Sequence, residues 1–282
     1  MTDLILLNYN DSESCLNFLN RHKCCKSIDH FIVVDNNSSD DSFRILESVS
    51  DEKVIVVKTD KNGGYASGNN YGVAYAKEHF NSDYIVISNP DVLFNEDCVL
   101  KCISVLESDE DSIICAPRMK DLNGLNQPCA WNLATWFRYA WETLPFTKKK
   151  KTLKNGDYDG LEYVKCDCVA GSFFVVNLKR LQRDFLFDPS TFLYCEETIL
   201  GFLNGNNKAV SLSNAFFIHA HSQTISREFK SSFSREKLIW KSKWYVFDNY
   251  YKIGFLKKIV VSAIKTLNLA AVAIRSLFRR KN

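Results

Sequence analysis

The chain has few residues that interrupt regular structure, with five prolines and 11 glycines among its 282 residues. Their scarcity excludes a collagen repeat, and a hydrophobic content of 46% excludes a largely disordered chain. The N-terminus lacks the basic segment and long apolar run of a secretory signal peptide, because the apolar residues 4–7 are followed directly by Asn8. We therefore expect a folded cytoplasmic protein.

The ten cysteines lack the spacing of a zinc site. Cys24-Cys25 and Cys166-Asp167-Cys168 are the close pairs, and no second pair of the CxxC type accompanies them. A cytoplasmic chain keeps its thiols reduced. We therefore predict buried structural cysteines.

The formal net charge of +3 hides an uneven distribution. Residues 227–282 hold 14 Lys/Arg and three Asp/Glu, which makes this segment about +11 and residues 1–226 about −8. The acidic main part argues against a nucleic-acid partner. Lys265, Asn268 and Arg275 interrupt the apolar C-terminal run, so we expect a basic helix that lies on a membrane surface. A packed helix with a solvated basic side is the alternative.

Runs of Val, Ile and Leu alternate with helical patterns over the first 120 residues. The predicted strands cover residues 4–8, 31–35, 54–57, 84–88 and 113–116. Unbroken apolar strands spaced by helices predict a mostly parallel sheet covered on both faces, with ligands beyond the carboxyl ends of its strands. Further on, we predict strands over residues 164–176 and 215–219, and helices over 196–203, 228–251 and 255–278.

Polar side chains follow the second and fourth of these strands, at Asp35-Asn36-Asn37 and Asn89-Pro90-Asp91. The carboxyl ends of parallel strands share one edge of the sheet. A carboxylate there can accept hydrogen bonds from a nucleobase or ribose, or bind Mg²⁺ or Mn²⁺. Such residues also end strands and make turns, so both interpretations stay open.

A glycine-rich segment, residues 62–72, lies between the third strand and its helix. Glycines allow backbone N–H groups to approach a diphosphate at a helix N-terminus. The segment lacks the GxGxxG pattern and follows the third strand rather than the first, which disfavours a dinucleotide-dependent dehydrogenase.

Two further pairs carry chemistry. Glu196 and Glu197 lie among aromatic residues, where a carboxylate can have a raised pKa and act as a general base; an acidic helix N-terminus is the alternative. His219 and His221 follow a predicted strand two residues apart and point to one face. That suits a metal or phosphate contact, although such a pair is also common as a structural feature.

Taken in order, these motifs resemble family 2 glycosyltransferases of GT-A fold, in the rhamnosyltransferase-like branch of bacterial surface polysaccharide synthesis. The resemblance implies a GT-A domain over residues 1–226 and a basic, membrane-facing helical extension over residues 227–282. It is carried by Asn8-Tyr9-Asn10, residues 34–40, residues 62–72, Asn89-Pro90-Asp91, Ala170-Gly171-Ser172, Phe187-Asp188, residues 192–197, and His219 with Thr224.

The resemblance also implies residue roles. It assigns Glu197 as the catalytic base, with Glu196 beside it. It assigns Asp91, with His219 or His221, to Mg²⁺ or Mn²⁺. The donor nucleotide is assigned to Asn8, Asn10, Asp35, Asn37, Asn62, Gly64, Asn70 and Asn89. Ile199 and Leu203 depart from the family, which has Asp and Arg at these positions.

The implied reaction is an inverting, metal-dependent transfer of a sugar, with rhamnose favoured, from a dTDP or UDP donor to a saccharide acceptor. The implied acceptor is lipid-linked, at the inner face of the bacterial membrane, in capsule, O-antigen or cell-wall synthesis. A UDP-hexose or UDP-galactofuranose donor is one alternative. A non-catalytic homologue that binds nucleotide or saccharide is another.

Overall fold

The structure, a computed structural model, describes residues 1–145, 147, 152–206, 208–220 and 231–279, without the side chains of 277–279. The strands of this part of the chain are β1 (Thr2–Asn8), β2 (His30–Asp35), β3 (Val54–Lys58), β4 (Tyr84–Ser88), β5 (Val92–Leu93), β6 (Ile114–Lys120), β7 (Asn126–Gln127), β8 (Ala130–Trp131), β9 (Tyr163–Cys166), β10 (Cys168–Val169), β11 (Phe173–Asn177) and β12 (Ala209–His219). The helices are α1 (Ser12–His22), α2 (Ser42–Glu47), α3 (Gly64–Phe80), α4 (Glu96–Ser108), α5 (Trp136–Trp141), α6 (Glu196–Asn204), α7 (Ser232–Asn249) and α8 (Phe255–Arg279).

Ten of the strands form one sheet, whose main path runs in the order β3-β2-β1-β4-β11-β6-β12-β5. The pairs among β1, β2, β3 and β4 are parallel, as is the pair of β6 with β12. β11 is antiparallel to both β4 and β6. β7 pairs with β6 and β9 with β12, while β8 and β10 form a separate ribbon. The predicted mostly parallel sheet is confirmed.

Successive residues of the central strands enter different cores on the two faces of the sheet. Leu4 and Leu6 of β1 pack in a cluster with residues of α1 and α4, while Ile5 packs in a second cluster with residues of α3. Because both faces are covered, these strands need apolar side chains at every position, which explains their unbroken Val and Ile runs. Seven of the ten cysteines are buried, which agrees with the predicted structural role for those seven, whereas Cys24, Cys25 and Cys195 are not.

α3 lies very close to β1 because glycines stand at the contacts. A Cβ atom on Gly72 would lie 2.6 Å from Cγ2 of Ile5, and one on Gly68 would lie 2.4 Å from Cδ1 of Leu7. Any larger residue would push the helix away from the strand. The two glycines therefore hold the N-terminus of α3 beside the carboxyl end of β1, where the candidate site lies.

The prediction of one strand over residues 164–176 is wrong, since this segment forms β9, β10 and β11. Asp167 accepts a hydrogen bond from the Leu133 N–H at 2.8 Å, and the Ala170 N–H donates to the carbonyl of Cys129 at 2.7 Å. These bonds draw the chain out of the main sheet to pair with β8 and then return it. The excursion places Gly171 at the edge of the sheet.

A third core joins the C-terminal helices to the body of the protein. Its buried members include Tyr139 of α5, Ile199 of α6, Trp240, Val246 and Phe247 of α7, and Val261 and Ile264 of α8. Leu203 packs against the same cluster. Apolar packing in this third core thus occupies the two positions where the resemblance implies Asp and Arg. The division at residue 226 stays a prediction, but α7 shares a core with α6.

Replacing Ile199 by the Asp of the family should strongly destabilise this chain. Ile199 is fully buried among apolar side chains, so Ile199→Asp should lower the free energy of unfolding by about 3–5 kcal/mol. The control Ile199→Val should lower it by about 0.5–1.5 kcal/mol. Urea unfolding measures both values. Equal stability of the two variants would contradict the apolar environment described above.

Candidate active site

The loops that follow β1 and β2 are joined by side-chain hydrogen bonds. Asn8 and Asp35 are paired in the register of the two strands, and Nδ2 of Asn8 donates to Oδ2 of Asp35 at 2.8 Å. The Ser38 N–H donates to Oδ1 of Asp35 at 2.9 Å, and the Asn10 N–H donates to Oγ of Ser38 at 2.9 Å. The polar ends of β1 and β2 therefore meet at one edge of the sheet.

Asp35 is fully buried, and both of its carboxylate oxygens accept hydrogen bonds. The structure thus places it as the residue that holds the two loops together, and its direct contact with a nucleotide stays a prediction. Asn10 and Asn37 have left-handed backbones, with φ of 52° and 57°. Asparagine is enriched in that conformation, so these two residues shape the turns of the loops.

Asn36 connects the β2 loop to the glycine-rich segment, although it was not among the predicted site residues. Its Nδ2 donates to Oδ1 of Asn62 at 3.0 Å and to the carbonyl of Gly64 at 3.1 Å. Oδ1 of Asn62 also accepts the Gly64 N–H at 3.0 Å. The signal that could have identified Asn36 is its place in the unbroken polar run that ends β2.

The start of α3 lies against the segment that precedes α6. Gly64 has φ of +84°, and a Cβ atom there would lie 1.9 Å from the carbonyl oxygen of Phe192. That carbonyl accepts the Tyr65 N–H at 3.0 Å, and the Tyr65 hydroxyl donates to the carbonyl of Gly171 at 2.7 Å. Glycine at position 64 therefore lets the two halves of the site meet.

Asn70 and Asn89 are placed differently from each other. Oδ1 of Asn70 accepts the N–H groups of Leu186 and Phe187, and its Nδ2 donates to the Phe187 carbonyl at 2.6 Å. This amide therefore anchors the segment that leads to α6, and its contact with donor stays a prediction. The Asn89 N–H donates to the Ser172 carbonyl at 2.9 Å, which brings the end of β4 beside Gly171.

Glu197 lies at the first turn of α6, next to the end of β4. Its Oε1 accepts the Gly171 N–H at 3.3 Å. The two residues before the helix, Tyr194 and Cys195, both have left-handed backbones with φ of 76° and 74°. Left-handed backbone costs about 1 kcal/mol or more for a residue with a side chain. This strained turn sets the direction in which α6 begins and hence where its carboxylates lie.

Glu196 differs from Glu197 in being buried, with 6% of its surface exposed. Burial, together with the charge of Glu197, raises the pKa of Glu196 from 4.5 to about 8. Its Oε1 has no hydrogen-bond partner among the described residues. Burial and the same two carboxylates raise the pKa of Tyr65 well above its usual range. Glu196 is therefore largely neutral at pH 7, while Glu197 has the more exposed carboxylate.

Asp91 and His219 come together across the pairing of β5 with β12. His219 is paired in register with Val92, and its Nε2 lies 3.2 Å from Oδ1 of Asp91. The side chains are 11% and 15% exposed for Asp91 and His219. His221 lies outside the described residues, as does Thr224. No group of three or more His, Cys, Asp or Glu side chains in the described part of the chain could hold a metal ion by itself.

The site thus consists of the polar loops at the carboxyl ends of β1 and β2, the carboxylates of Glu196 and Glu197, and the Asp91–His219 pair. A family model described as Glycosyl transferase family 2 matches residues 5–176. The chain belongs to glycosyl transferase family 2, and the family inferred from the motifs is confirmed.

Two curated relatives support this membership. The low-salt glycan biosynthesis hexosyltransferase Agl10 of Haloferax volcanii is 28% identical over 122 residues, or 43% of this chain and 38% of that protein. The rhamnosyltransferase WbbL of Escherichia coli K12 is 29% identical over 144 residues, or 48% of this chain and 51% of that protein. The chain therefore matches about half or less of the length of these relatives.

Solved structures with a similar fold include two proteins in complex with nucleotide sugars. TarS 1-349 of S. aureus with UDP-GlcNAc has a TM-score of 0.52 and 16% identity, covering 84% of this chain and 64% of that one. The mannosyltransferase PcManGT of Pyrobaculum calidifontis with GDP-Man and Mn²⁺ has a TM-score of 0.53 and 12% identity, covering 99% and 87%. These similarities confirm the predicted GT-A-type fold.

The raised pKa of Glu196 predicts a pH-dependent stability. Between pH 4.5 and 8 the folded protein keeps a proton that the unfolded chain has lost, so this group makes the free energy of unfolding fall as pH rises. The slope from one such group is about 1.4 kcal/mol per pH unit. Glu196→Gln should remove this contribution, whereas the exposed control Glu52→Gln should leave it. Urea unfolding at about pH 5.5 and about pH 7.5, both between the unfolded and folded pKa values of Glu196, measures the difference. Parallel pH profiles of stability for Glu196→Gln and wild type would contradict the raised pKa of Glu196.

Proposed function

We propose that this protein transfers a sugar, with inversion, from a nucleoside-diphosphate donor to a saccharide acceptor. The observation that carries the proposal is the direct contact of the two halves of the site. The Gly64–Phe192 and Tyr65–Gly171 contacts bring the glycine-rich loop beside Glu197. The complexes of TarS with UDP-GlcNAc and of PcManGT with GDP-Man agree with such a donor.

The donor nucleotide lies along the edge formed by the ends of β1, β2 and β4. The loops around Asn8, Asn10 and Asn37 receive the base and ribose, with Asp35 holding these loops together. Asn62 and Gly64 border the same space from the side of α3, and Asn89 borders it from β4. A dTDP or UDP donor, with rhamnose as the favoured sugar, follows from the motifs and from the rhamnosyltransferase relative WbbL.

The residues at Asp91 fit a divalent cation that shares its coordination with phosphates. Mg²⁺ and similar hard cations bind through one or two carboxylates plus substrate phosphate oxygens, so a single protein carboxylate is sufficient. Asp91 supplies that carboxylate, and Nε2 of His219 lies beside it at 3.2 Å. Mg²⁺ or Mn²⁺ bound there supplies positive charge to the leaving diphosphate.

Glu197 acts as the general base. It accepts the proton of the acceptor hydroxyl while that oxygen forms a bond to the anomeric carbon and the bond from that carbon to the diphosphate oxygen breaks. One displacement inverts the anomeric configuration. The Gly171 N–H donates to Oε1 of Glu197 at 3.3 Å and orients the carboxylate. The neutral Glu196 beside it avoids a second negative charge next to the base at pH 7.

The acceptor is a lipid-linked saccharide, and the protein lies at the inner face of the bacterial membrane. In support, α8 contains a segment, Phe255–Ser276, that is long and apolar enough to cross a membrane by length and composition, with 17% of it buried in the protein. One such helix is weak evidence alone. Agl10 is a glycan biosynthesis hexosyltransferase and WbbL is a rhamnosyltransferase, which agrees with capsule, O-antigen or cell-wall synthesis.

Replacing Glu197 and Asp91 should separate proton transfer from cation binding. Glu197→Gln should lower turnover by about 10²–10⁴-fold without weakening nucleotide affinity, because only the base is lost. Asp91→Ala should remove the gain in nucleotide affinity that Mn²⁺ gives wild type. Product formation by NMR from a panel of dTDP and UDP sugars, and calorimetry of dTDP and UDP with and without Mn²⁺, measure these effects.

The exposed Glu47→Gln is the control for both variants and should behave like wild type. Near-normal turnover of Glu197→Gln would show that another residue is the base. Nucleotide binding without turnover of any donor in wild type would favour the non-catalytic alternative. The departures at Ile199 and Leu203 lend that alternative little support, since apolar packing in the third core accounts for both.

A further inference from the structure

α8 lies beside α5. Near its start, Nζ of Lys257 lies 5.4 Å from the centre of the Trp136 ring. Further along, Nδ2 of Asn268 donates to the carbonyl of Thr143 at 2.7 Å. Eleven residues of helix span about 16 Å, so the first half of α8 runs alongside α5 and the turn that follows it.

α8 buries Val261 and Ile264 in the third core, yet its opposite side is also apolar. Its polar Asn268 is 3% exposed and accepts a hydrogen bond from Nε1 of Trp240 at 2.7 Å. Large apolar side chains point outward instead, which a soluble helix normally avoids. These are Phe255 at 77% exposed, Leu256 at 76%, Ile259 at 52%, Val260 at 40%, Leu267 at 61% and Ile274 at 55%.

α5 adds two exposed aromatic side chains beside this face. Phe137 and Trp141 are 45% and 46% exposed, and they stack with their ring centres 5.6 Å apart. The core side of the same helix is already filled by Tyr139 and Ala140. Exposed aromatic rings are favoured where one side contacts lipid and the other contacts water.

α8 itself is basic, and the carboxylates of Glu142 and Asp248 beside these helices are paired with Arg138 and Lys258. The sequence of α8 contains five Lys or Arg residues and no Asp or Glu. Lys257 lies over the ring of Trp136, and Nζ of Lys265 lies 5.6 Å from the ring centre of Trp244. Lysines of this kind can place their stems along apolar groups while the ammonium reaches an anionic headgroup.

We propose that α5 and α8 together form one membrane-binding surface, the α5/α8 surface, which lies in the plane of a bilayer with anionic headgroups. The inference rests on the proposed membrane location of the C-terminal helix and adds α5 to it. α8 is attached to the body along its length, through Val261, Ile264 and Asn268. That attachment favours a helix lying on the bilayer rather than crossing it.

Vesicle binding of full-length variants tests the contribution of α5. Vesicles of phosphatidylglycerol and phosphatidylcholine in equal parts should bind wild type, and pure phosphatidylcholine or high salt should weaken binding. Phe137→Ser combined with Trp141→Ser should reduce binding to the anionic vesicles by about tenfold or more, because the bilayer no longer buries two aromatic side chains. Leu256→Ser combined with Ile259→Ser on α8 should have a similar effect.

A matched control is Leu122→Ser combined with Leu125→Ser. These residues are 66% and 63% exposed but lie in the turn between β6 and β7, away from the α5/α8 surface. Their loss should change vesicle binding by less than about twofold. Circular dichroism and release of nucleoside diphosphate from the donor without acceptor should be unchanged in all three double variants, which reports the catalytic site separately.

Wild-type vesicle binding by the Phe137/Trp141 variant would overturn the role of α5, even if the α8 variant lost binding. Sedimentation velocity without vesicles tests whether a second copy of this chain binds to the α5/α8 surface instead. A dimer that the α5 variant abolishes would overturn the membrane assignment. Neither result would bear on sugar transfer. Absence of donor turnover in wild type would overturn the proposed function alone.

Discussion

The site depends on a close contact between two backbone segments that are far apart in sequence. The carbonyl of Phe192 approaches Gly64 so closely that a side chain cannot be placed there, and it accepts the N–H of Tyr65. Tyr65 in turn donates to Gly171. Gly171 orients Glu197 through its own N–H. Gly64, which has a positive φ, thereby fixes the distance between the loops proposed to bind the nucleotide and the proposed base Glu197.

The C-terminal helices stabilise the same segment from the other side. Oγ of Ser242 donates to the carbonyl of Leu193 at 2.7 Å, and the hydroxyl of Tyr245 donates to Oδ2 of Asp188 at 2.8 Å. Ile199, on the helix that carries Glu197, is buried in the core that α7 shares with α5 and α8. α7 therefore supports the strained turn before α6. Residues of α5, α6, α7 and α8 share one core, so a bilayer bound to α5 and α8 would be linked through that core to α6, which carries the proposed base Glu197.

The central part of the fold could be predicted because strands buried on both faces need unbroken apolar runs, as in β1, β2 and β4. The segment 164–176 could not, because its path depends on bonds to residues 129 and 133, which no local pattern reveals. For the site, the polar strand ends and the acidic pair were readable from residue type and order. The bridging role of Asn36, and the burial that distinguishes Glu196 from Glu197, arise only from tertiary packing.

A crystal structure with a hydrolysis-resistant nucleotide sugar and Mn²⁺ tests the central claim most directly. The account predicts the nucleotide along the ends of β1, β2 and β4, an anomalous Mn²⁺ peak at ligand distance from the Asp91 carboxylate, and the anomeric carbon on the side of Glu197. A nucleotide bound in the cavity between residues 131–135 and α5, or a cation away from Asp91, would contradict it.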